Sequence, residues 1–580
     1  MKKLVLGISL LSLSLTACSD YFDIDSTYYV PAENNHLKTA TDTLYSVIGI
    51  LNKVQAIGDR TVLLGEMRGD LTRVTSATSA DLRNVAMFNI DDDNKYKQPR
   101  DYYAIINNCN YFIAHADTAM KNNRNEVVFM REYAAVKAIR AWTYLQLVTT
   151  YGKVPFVLDP IMNDAEAQKD YPMYDIDQVC DYFTTQDGLQ DLAYKGNLDY
   201  GDIRGLSSRL FFFPINIVLG DLYLWHGKYW EAAKCYHDYI VNRNGINTAY
   251  PIGTYSIFWG NDDYNPDVDL SYTAYLSRTF YTESYSTTGE LITLIPGDSL
   301  KSEANYSELR NIFYSRTENN FEVSALPSQA LIDLSASQDY WDYNGLTQTF
   351  SKVPKNIGDY ADGDLRLCRT CVILDNATFN GNRIDNAAYN YKYTTRNIHI
   401  YRRAQVYLRL AEAINRAGYP YYAMRILKTG VDGNVLKDEI CPLYPQDSVK
   451  LMTEMNFPAD KYGVFDPFAT DVNRLNTVGI HFRGCGYPMA DTLYVMHDGT
   501  LEQQIEEVED RIVDEMALEL AFEGTRYYDL MRIALHRNDP AYLDQKVKSR
   551  DGAANPGSGI TADLTDKKNW FLHWKGQIGY

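Results

Sequence analysis

The chain has 580 residues, 46% hydrophobic and 23% charged, the profile of a globular protein that can bury a core. Its formal net charge is −19 with no offsetting Lys/Arg stripe, which argues against nucleic acid as a partner because such a surface repels phosphates. Tyrosine is the outlier, 48 against 21 Phe and 7 Trp, and its flat apolar face with a hydroxyl suits both packing between helices and stacking on sugar rings.

In chain order, Lys2 and Lys3 precede an apolar run, Leu4 to Leu15, too short to span a ~30 Å hydrocarbon core as a helix. It reads as a secretory leader over residues 1–17. The run closes Leu15-Thr16-Ala17-Cys18, which resembles a bacterial lipobox with Cys18 as the lipidated residue. Acyl chains at ~0.8 kcal/mol per buried CH₂ would hold the protein on a membrane. No later stretch approaches about eighteen consecutive apolar residues, so lipid is the expected anchor. Ser19, Asp20, Asp23 and Asp25 follow as a short acidic tether, which resembles the export signal of some surface lipoproteins.

Helical periodicity then dominates. Between Phe129 and Tyr151, Ala134, Ala138, Ala141 and Leu145 recur at i, i+4, i+7 and i+11, a small-residue stripe that lets a partner helix approach closely. Gly152 supplies the stop and Pro155 blocks continuation. Two later segments share one design. Leu219 to Ile240 reads as a helix, Gly227, Tyr229-Trp230, then Ala232-Ala233 opening a second helix. Tyr407 to Val431 reads as a helix, Gly418, Tyr421-Tyr422, then Ala423. In both the aromatic pair is expected in the turn, the pattern of tetratricopeptide-type hairpins. A last pair covers EEVEDRIVDEMALELAFEGTRYYDLMRIAL, with Ile512, Met516, Leu520 and Phe522 as its core stripe. Glu515, Glu519 and Glu523 form an acidic stripe that destabilises an isolated helix, so Arg511, Arg526 and Arg532 are expected to face it in a structural ion network.

From about Gly245 to Arg396 the periodicity fades into a stretch rich in Tyr, Asn, Asp, Gly and Ser, with turn signals at Gly260-Asn261, Asn344-Gly345 and Asn380-Gly381. A structureless loop of that length does not fit a compact domain, so it reads as an irregular second lobe of loops, short helices and short strands. The division is then a leader (1–17), helical hairpins (18–244), the irregular ligand-binding lobe (245–396), another hairpin (397–436), a loop-rich insertion (437–499), and a C-terminal helical pair and tail (500–580). The fold class is mostly α, with about four hairpins.

No motif makes a convincing enzyme. Gly297-Asp298-Ser299-Leu300 spells an esterase nucleophile block, yet none of the nine histidines has an aspartate three residues before it to serve as base. Arg68-Gly69-Asp70 spells an adhesion tripeptide, a triplet short enough to arise by chance. Asp91-Asp92-Asp93-Asn94 offers hard oxygens for Ca²⁺ but lacks the Gly and distal Glu of an EF-hand loop, and reads as a solvated acidic turn. The eight cysteines lack framework spacing. Cys368-Arg-Thr-Cys371, taken as extended, points its thiols to opposite faces, against a shared metal. No metal, cofactor or catalytic residue is expected, and the disulfide state is open.

Together these segments resemble the SusD/RagB outer-membrane lipoproteins. The family patterns run approximately E-x-x-F-L-R-A-x-x-Y-x-x-L-x-x-x-Y-G-x-V-P, then R-x-A-E-x-x-L-x-x-A-E-A, then E-R-x-x-E-L-x-F-E-G-x-R-x-x-D-L-x-R. Arg131, Ala138, Tyr144, Gly152 and Pro155 fit the first, and Arg403, Ala404, Ala411, Glu412 and Ala413 the second. Arg511, Glu519, Leu520, Phe522, Glu523, Gly524, Arg526, Asp529, Leu530 and Arg532 fit the third, while Gln405 and Asp510 depart from the usual Glu. The resemblance implies a surface-exposed glycan-binding lipoprotein of the outer membrane, a lid on a SusC-like TonB-dependent transporter.

Glycan recognition needs aromatic faces to stack on sugar rings, with Asp, Asn and Arg bonding the hydroxyls. In the family such sites gather near the first hairpin and in the irregular lobe. The corresponding stretches here are Glu66 to Arg73, Asn94 to Tyr103, Phe258 to Asn265 and Asp339 to Gly345. The candidate ligand-binding residues are Asp70, Arg73, Tyr96, Trp259, Tyr264, Trp341 and Tyr343. Three alternatives stay open: a peptide-capturing member of the same family, a surface hydrolase with an unrecognised site in the lobe, and a structural lid without a ligand.

Overall fold

The alanine stripe forms the helix Met130–Tyr151, whose Ala134, Ala138 and Ala141 are fully buried. Gly152 ends it at φ +77°, a left-handed geometry that glycine adopts at no steric cost. The computed structural model describes residues 40–125, 127–195, 198–242, 290–297, 306–353, 362–374, 377–379, 382–384, 387–457, 479–487, 490–552 and 559–573. Cys18 with the rest of the leader, Trp259 and Tyr264 lie outside the described residues. Among the described residues no helix is long and apolar enough to cross a membrane.

Four helical hairpins make the scaffold. Pro99–His115 packs on Met130–Tyr151, Ile215–Trp225 on Tyr229–Asn242, and Arg403–Arg416 on Pro420–Lys428. Leu501–Leu520 is followed by Arg526–His536. Ile176–Thr185 bridges the first two pairs. Tyr229–Asn242 packs on Arg403–Arg416, so the array is continuous across the whole intervening lobe.

The two matching hairpins close by the same hydrogen bonds. Gly227 and Gly418 both have positive φ, and the residue after each, Lys228 and Tyr419, donates its N–H back to Tyr223 and Ile414 at 2.9 and 3.1 Å. That is the Schellman closure, which satisfies carbonyls the helix end leaves open. The aromatic pairs do not sit in the turns. Tyr229-Trp230 and Tyr421-Tyr422 already belong to the second helices, because the glycine alone completes the reversal. Gly220 lets the helices touch: a Cβ there would lie 2.5 Å from the Tyr236 ring.

Residues 296–397 leave and rejoin a two-stranded stem. Leu291–Ile295 pairs antiparallel with Ile398–Arg402, with a bulge near Tyr401. The other described strands also occur in two-stranded antiparallel pairs, among them Thr72–Val74 with Ala325–Pro327 and Trp341–Asn344 with Thr349–Lys352. The described part of the insertion is built of short helical turns, including Ser448–Glu454 and Phe482–Cys485.

The acidic stripe of Leu501–Leu520 is buried and paired, but not with the expected arginines. Glu519 accepts from Arg366 at 2.8 Å, Arg402 at 2.7 Å and Arg483 at 2.8 Å. Glu515 pairs with Arg366 at 2.6 Å, and Glu523 with Arg402 at 2.6 Å and Lys392 at 2.5 Å. Arg526 instead holds Asp70, Arg532 holds Glu412 and Asp529, and Arg511 faces Asp514. The reason is geometric: the glutamates face the lobe, while the three local arginines lie on other faces.

Candidate functional site

The segment Phe522-Glu523-Gly524-Thr525-Arg526 is a structural joint. Phe522 and Gly524 both have positive φ, and a Cβ on Gly524 would come 2.4 Å from Val62 Cα. The turn thus lies backbone to backbone on the helix Gly58–Glu66, and Gly524 N–H donates to Glu66 Oε2 at 3.1 Å. Arg526 grips Asp70 with a fork of 2.6 and 2.8 Å. Burial alone would raise the Asp70 carboxyl, but the Arg526 charge and hydrogen bonds bring it below the usual carboxylate range.

This removes Asp70 from any ligand surface: it is 3% exposed and committed to Arg526. Arg68 of the same tripeptide is 1% exposed, bonded to the Leu64 and Trp570 carbonyls, so Arg68-Gly69-Asp70 is not an adhesion loop. Tyr96 is also buried in the main core. Arg73 is exposed on Thr72–Val74, opposite Leu326. Asp91, Asp92 and Asp93 are exposed, as a solvated turn requires. Gly297, the described residue of the esterase-like block, hydrogen-bonds Asn397 through its N–H.

Trp341 and Tyr343 come together on the hairpin Trp341–Asn344/Thr349–Lys352. Alternation places them on one face, with Tyr343 opposite Phe350 and Trp341 opposite Lys352. Asn344 Oδ1 holds the tip by accepting from Leu346 and Thr347 N–H at 2.9 and 3.1 Å, and Leu346 is 97% exposed. A second segment completes the face. Gly486, at φ +67°, runs alongside Trp341, and a Cβ there would meet the Trp341 carbonyl at 2.2 Å. That close pass lets Tyr487 N–H donate to the Trp341 carbonyl at 2.8 Å.

The result is an aromatic cluster of half-buried rings. Tyr343 lies 4.9 Å from Phe350 and 5.4 Å from Tyr487, centroid to centroid, with Phe482 edge-on beneath Tyr487 at 5.3 Å. Trp341 Nε1 is a buried donor without a hydrogen-bond partner among the described residues. Lys352 and Asp339 form an ion pair at 2.6 Å beside the face. Burial and the nearby Asp342 carboxylate push the Tyr487 hydroxyl above its ordinary pKa, keeping it a neutral donor. Flat rings with a few oriented polar groups can hold a sugar ring by stacking and bond its hydroxyls. Phe350 was legible as the partner of Tyr343 once the hairpin around Asn344-Gly345 is drawn. Tyr487 carried no local signal, since it arrives from the insertion.

Asp364, His481 and Cys485 hold their donor atoms within 4.8 Å of one another. All three are committed elsewhere. His481 bonds Glu515 at 2.9 Å and Asp491 at 3.1 Å, which leaves neither ring nitrogen a free lone pair. Burial lowers the imidazole pKa, but the two carboxylates raise it to about 9. Asp364 is forked by Arg366 and accepts from Cys485 Sγ. The Cys368-Arg-Thr-Cys371 segment is not extended: Cys368 sits on the short helix Leu365–Thr370 and Cys371 opens the strand Cys371–Leu374. Asp364 caps the start of that helix through the Arg366 N–H, and the helix runs to Thr370, so the strand starts only at the second cysteine.

Residues 490–572 match the model of the SusD family. Among curated proteins none matches the chain. In fold, the chain is similar to surface glycan-binding protein A from Bacteroides fluxus, at 15% identity, with 92% of this chain and 94% of that one covered and a TM-score of 0.54. A SusD superfamily protein from Bacteroides vulgatus ATCC 8482 is similar at 15% identity, 92% coverage of both chains and a TM-score of 0.53. A SusD-like carbohydrate binding protein from Bacteroides fragilis NCTC 9343 follows at 14% identity, 87% and 88% coverage, and a TM-score of 0.52. The C-terminal helices thus carry the SusD family's sequence pattern, and the chain shares the fold of these proteins over most of its length.

Proposed function

We propose that the protein is a non-catalytic, lipid-anchored surface protein that captures a glycan and passes it to a SusC-like TonB-dependent transporter in the outer membrane. The observation that carries the capture role is the Tyr343–Phe350–Tyr487 ring cluster on the Trp341–Asn344 hairpin. Two relatives of the same fold are described as a surface glycan-binding protein and a carbohydrate binding protein, which supports the ligand class. The Cys18 lipobox supports the anchor.

Native affinity electrophoresis against a polysaccharide panel tests the reading. Retardation without new reducing ends is expected, and release of shortened product would turn the protein into a hydrolase instead. Tyr343→Ala and Tyr487→Ala are each expected to weaken binding about tenfold, equal to ~1.4 kcal/mol. Full retention by both variants would remove the site from this face. Cys18→Ala is expected to move the protein out of the membrane fraction while binding persists, and co-purification with an outer-membrane transporter from detergent extracts tests the partner.

A further inference from the structure

The lobe carries a second aromatic face, and this one is positively charged. The helix Leu309–Phe313 runs into Tyr314, whose backbone bridges Tyr389. The Tyr314 ring stands nearly edge-on to Tyr389 at 5.1 Å and to Tyr391 at 6.2 Å. Ser315 locks the junction: its N–H donates to the Ala388 carbonyl and its Oγ accepts from Ala388 N–H, both at 2.8 Å. Arg310 places its Cζ 5.8 Å from the Tyr314 centroid, and Arg316 follows two residues after that ring. All five side chains are half-exposed.

The charge here is poorly compensated. Arg316 spends Nε and Nη2 on Glu318, at 3.0 and 2.5 Å, and its Nη1 is buried with no partner among the described residues. Arg310 has no carboxylate of its own among the described residues, and its Nε is likewise buried without an acceptor. Unlike Arg310, the arginines Arg366, Arg402, Arg483, Arg526 and Arg532 each grip at least one carboxylate. Burial, then the charges of Arg316 and Arg396, lower the Arg310 pKa, the mark of a cation held against its surroundings. Leaving buried guanidinium donors unmet is costly. Among the described residues no further carboxylate meets these two cations, which on a chain of net charge −19 favours an anionic ligand.

We propose that Arg310, Arg316, Tyr314, Tyr389 and Tyr391 form a second carbohydrate subsite for a sugar bearing a carboxylate or sulfate group. This rests on the capture role above and adds a substrate class to it. The sugar ring packs on the tyrosine faces, and the anionic oxygens accept from the half-exposed guanidinium groups of Arg310 and Arg316, charge-assisted bonds stronger than those to a hydroxyl.

Native affinity gels of the purified protein containing polygalacturonate, carrageenan or neutral dextran test this. The first polymer offers carboxylates and the second sulfates, so retention by either supports the subsite and names its anion. Retention is expected to fall at least tenfold in Arg310→Gln and in Tyr314→Ala, and to weaken in 0.5 M salt. Binding to any retained neutral polymer is expected to be unchanged in Arg310→Gln. Should that variant not fold, Arg310→Lys keeps the charge without the forked guanidinium, and a several-fold loss is expected. Retention of a neutral polymer with neither anionic one overturns the subsite and leaves the capture role standing. Undiminished retention of the anionic polymers by the folded Arg310 variants overturns it as well. Retention of no polymer, neutral or charged, sinks the capture role with it.

Discussion

Glu519 shows how one carboxylate can tie distant parts of a chain together. Its three arginines come from the lobe (Arg366), from its stem (Arg402) and from the insertion (Arg483). Burial raises the Glu519 carboxyl, but those three charges more than offset it and hold its pKa well below the usual range. Glu519→Gln strands buried guanidiniums and is expected to cost ~3–5 kcal/mol, read from urea unfolding. A loss within 1 kcal/mol would show the network to be dispensable. Gly524→Ala tests the joint differently: the added Cβ meets Val62 backbone at 2.4 Å in a left-handed conformation. A drop of more than ~3 kcal/mol is expected by the same measurement. At this scale the sequence showed the acidic stripe plainly, from spacing alone. It could not show the partners, because Arg366, Arg402 and Arg483 are distant in sequence and nothing local marks them. Asp70 misled for the converse reason: an aspartate beside glycine in an apparent loop looks like surface until Arg526 arrives from the other end of the chain.

Among the elements, the short helix Phe482–Cys485 is anchored by charge, its Arg483 pairing with Glu290 and Glu519. His481, just before it, stands between Glu515 and Asp491 with its ring stacked 4.0 Å from Tyr494. Its pKa rises from 6.5 to about 9, so the stability it contributes is complete below pH 6.5 and is lost as pH climbs through about 9. Burial raises Glu515, and Arg366 with His481 bring it from 4.5 down to about 2, so its contribution holds above pH 4.5 and is lost as pH falls toward 2. Urea midpoints measured from pH 6 to 10 are expected to decline on the alkaline side, and His481→Gln to flatten that limb. An unchanged limb in the variant would place the titration elsewhere. The hairpin helices were legible from their period, since one small-residue face needs no knowledge of its partner. The Trp341–Lys352 hairpin was legible only as a turn at Asn344-Gly345, and its aromatic face became visible once Tyr487 was folded onto it.

At the scale of the whole molecule, scaffold and lobe answer to different demands. The helical array closes through Tyr229–Asn242 against Arg403–Arg416, and residues 296–397 depart from and return to a two-stranded stem. Replacing the tip Asn344 to Thr349 by a two-residue turn is expected to leave the melting temperature within about 2 °C, since Leu346 and its neighbours are exposed and touch no core. A larger fall would mean the tip supports the fold.

The stem gives the lobe the character of an interchangeable fitting. Its two ends emerge side by side, so the chain between them can lengthen, shorten or change its ring pattern without altering where the next scaffold helix begins. One condition travels with any exchange: cations must return to the places of Arg366 and Lys392, or Glu515, Glu519 and Glu523 lose partners. Within that condition, the rings the lobe presents can change while the scaffold beneath keeps its packing.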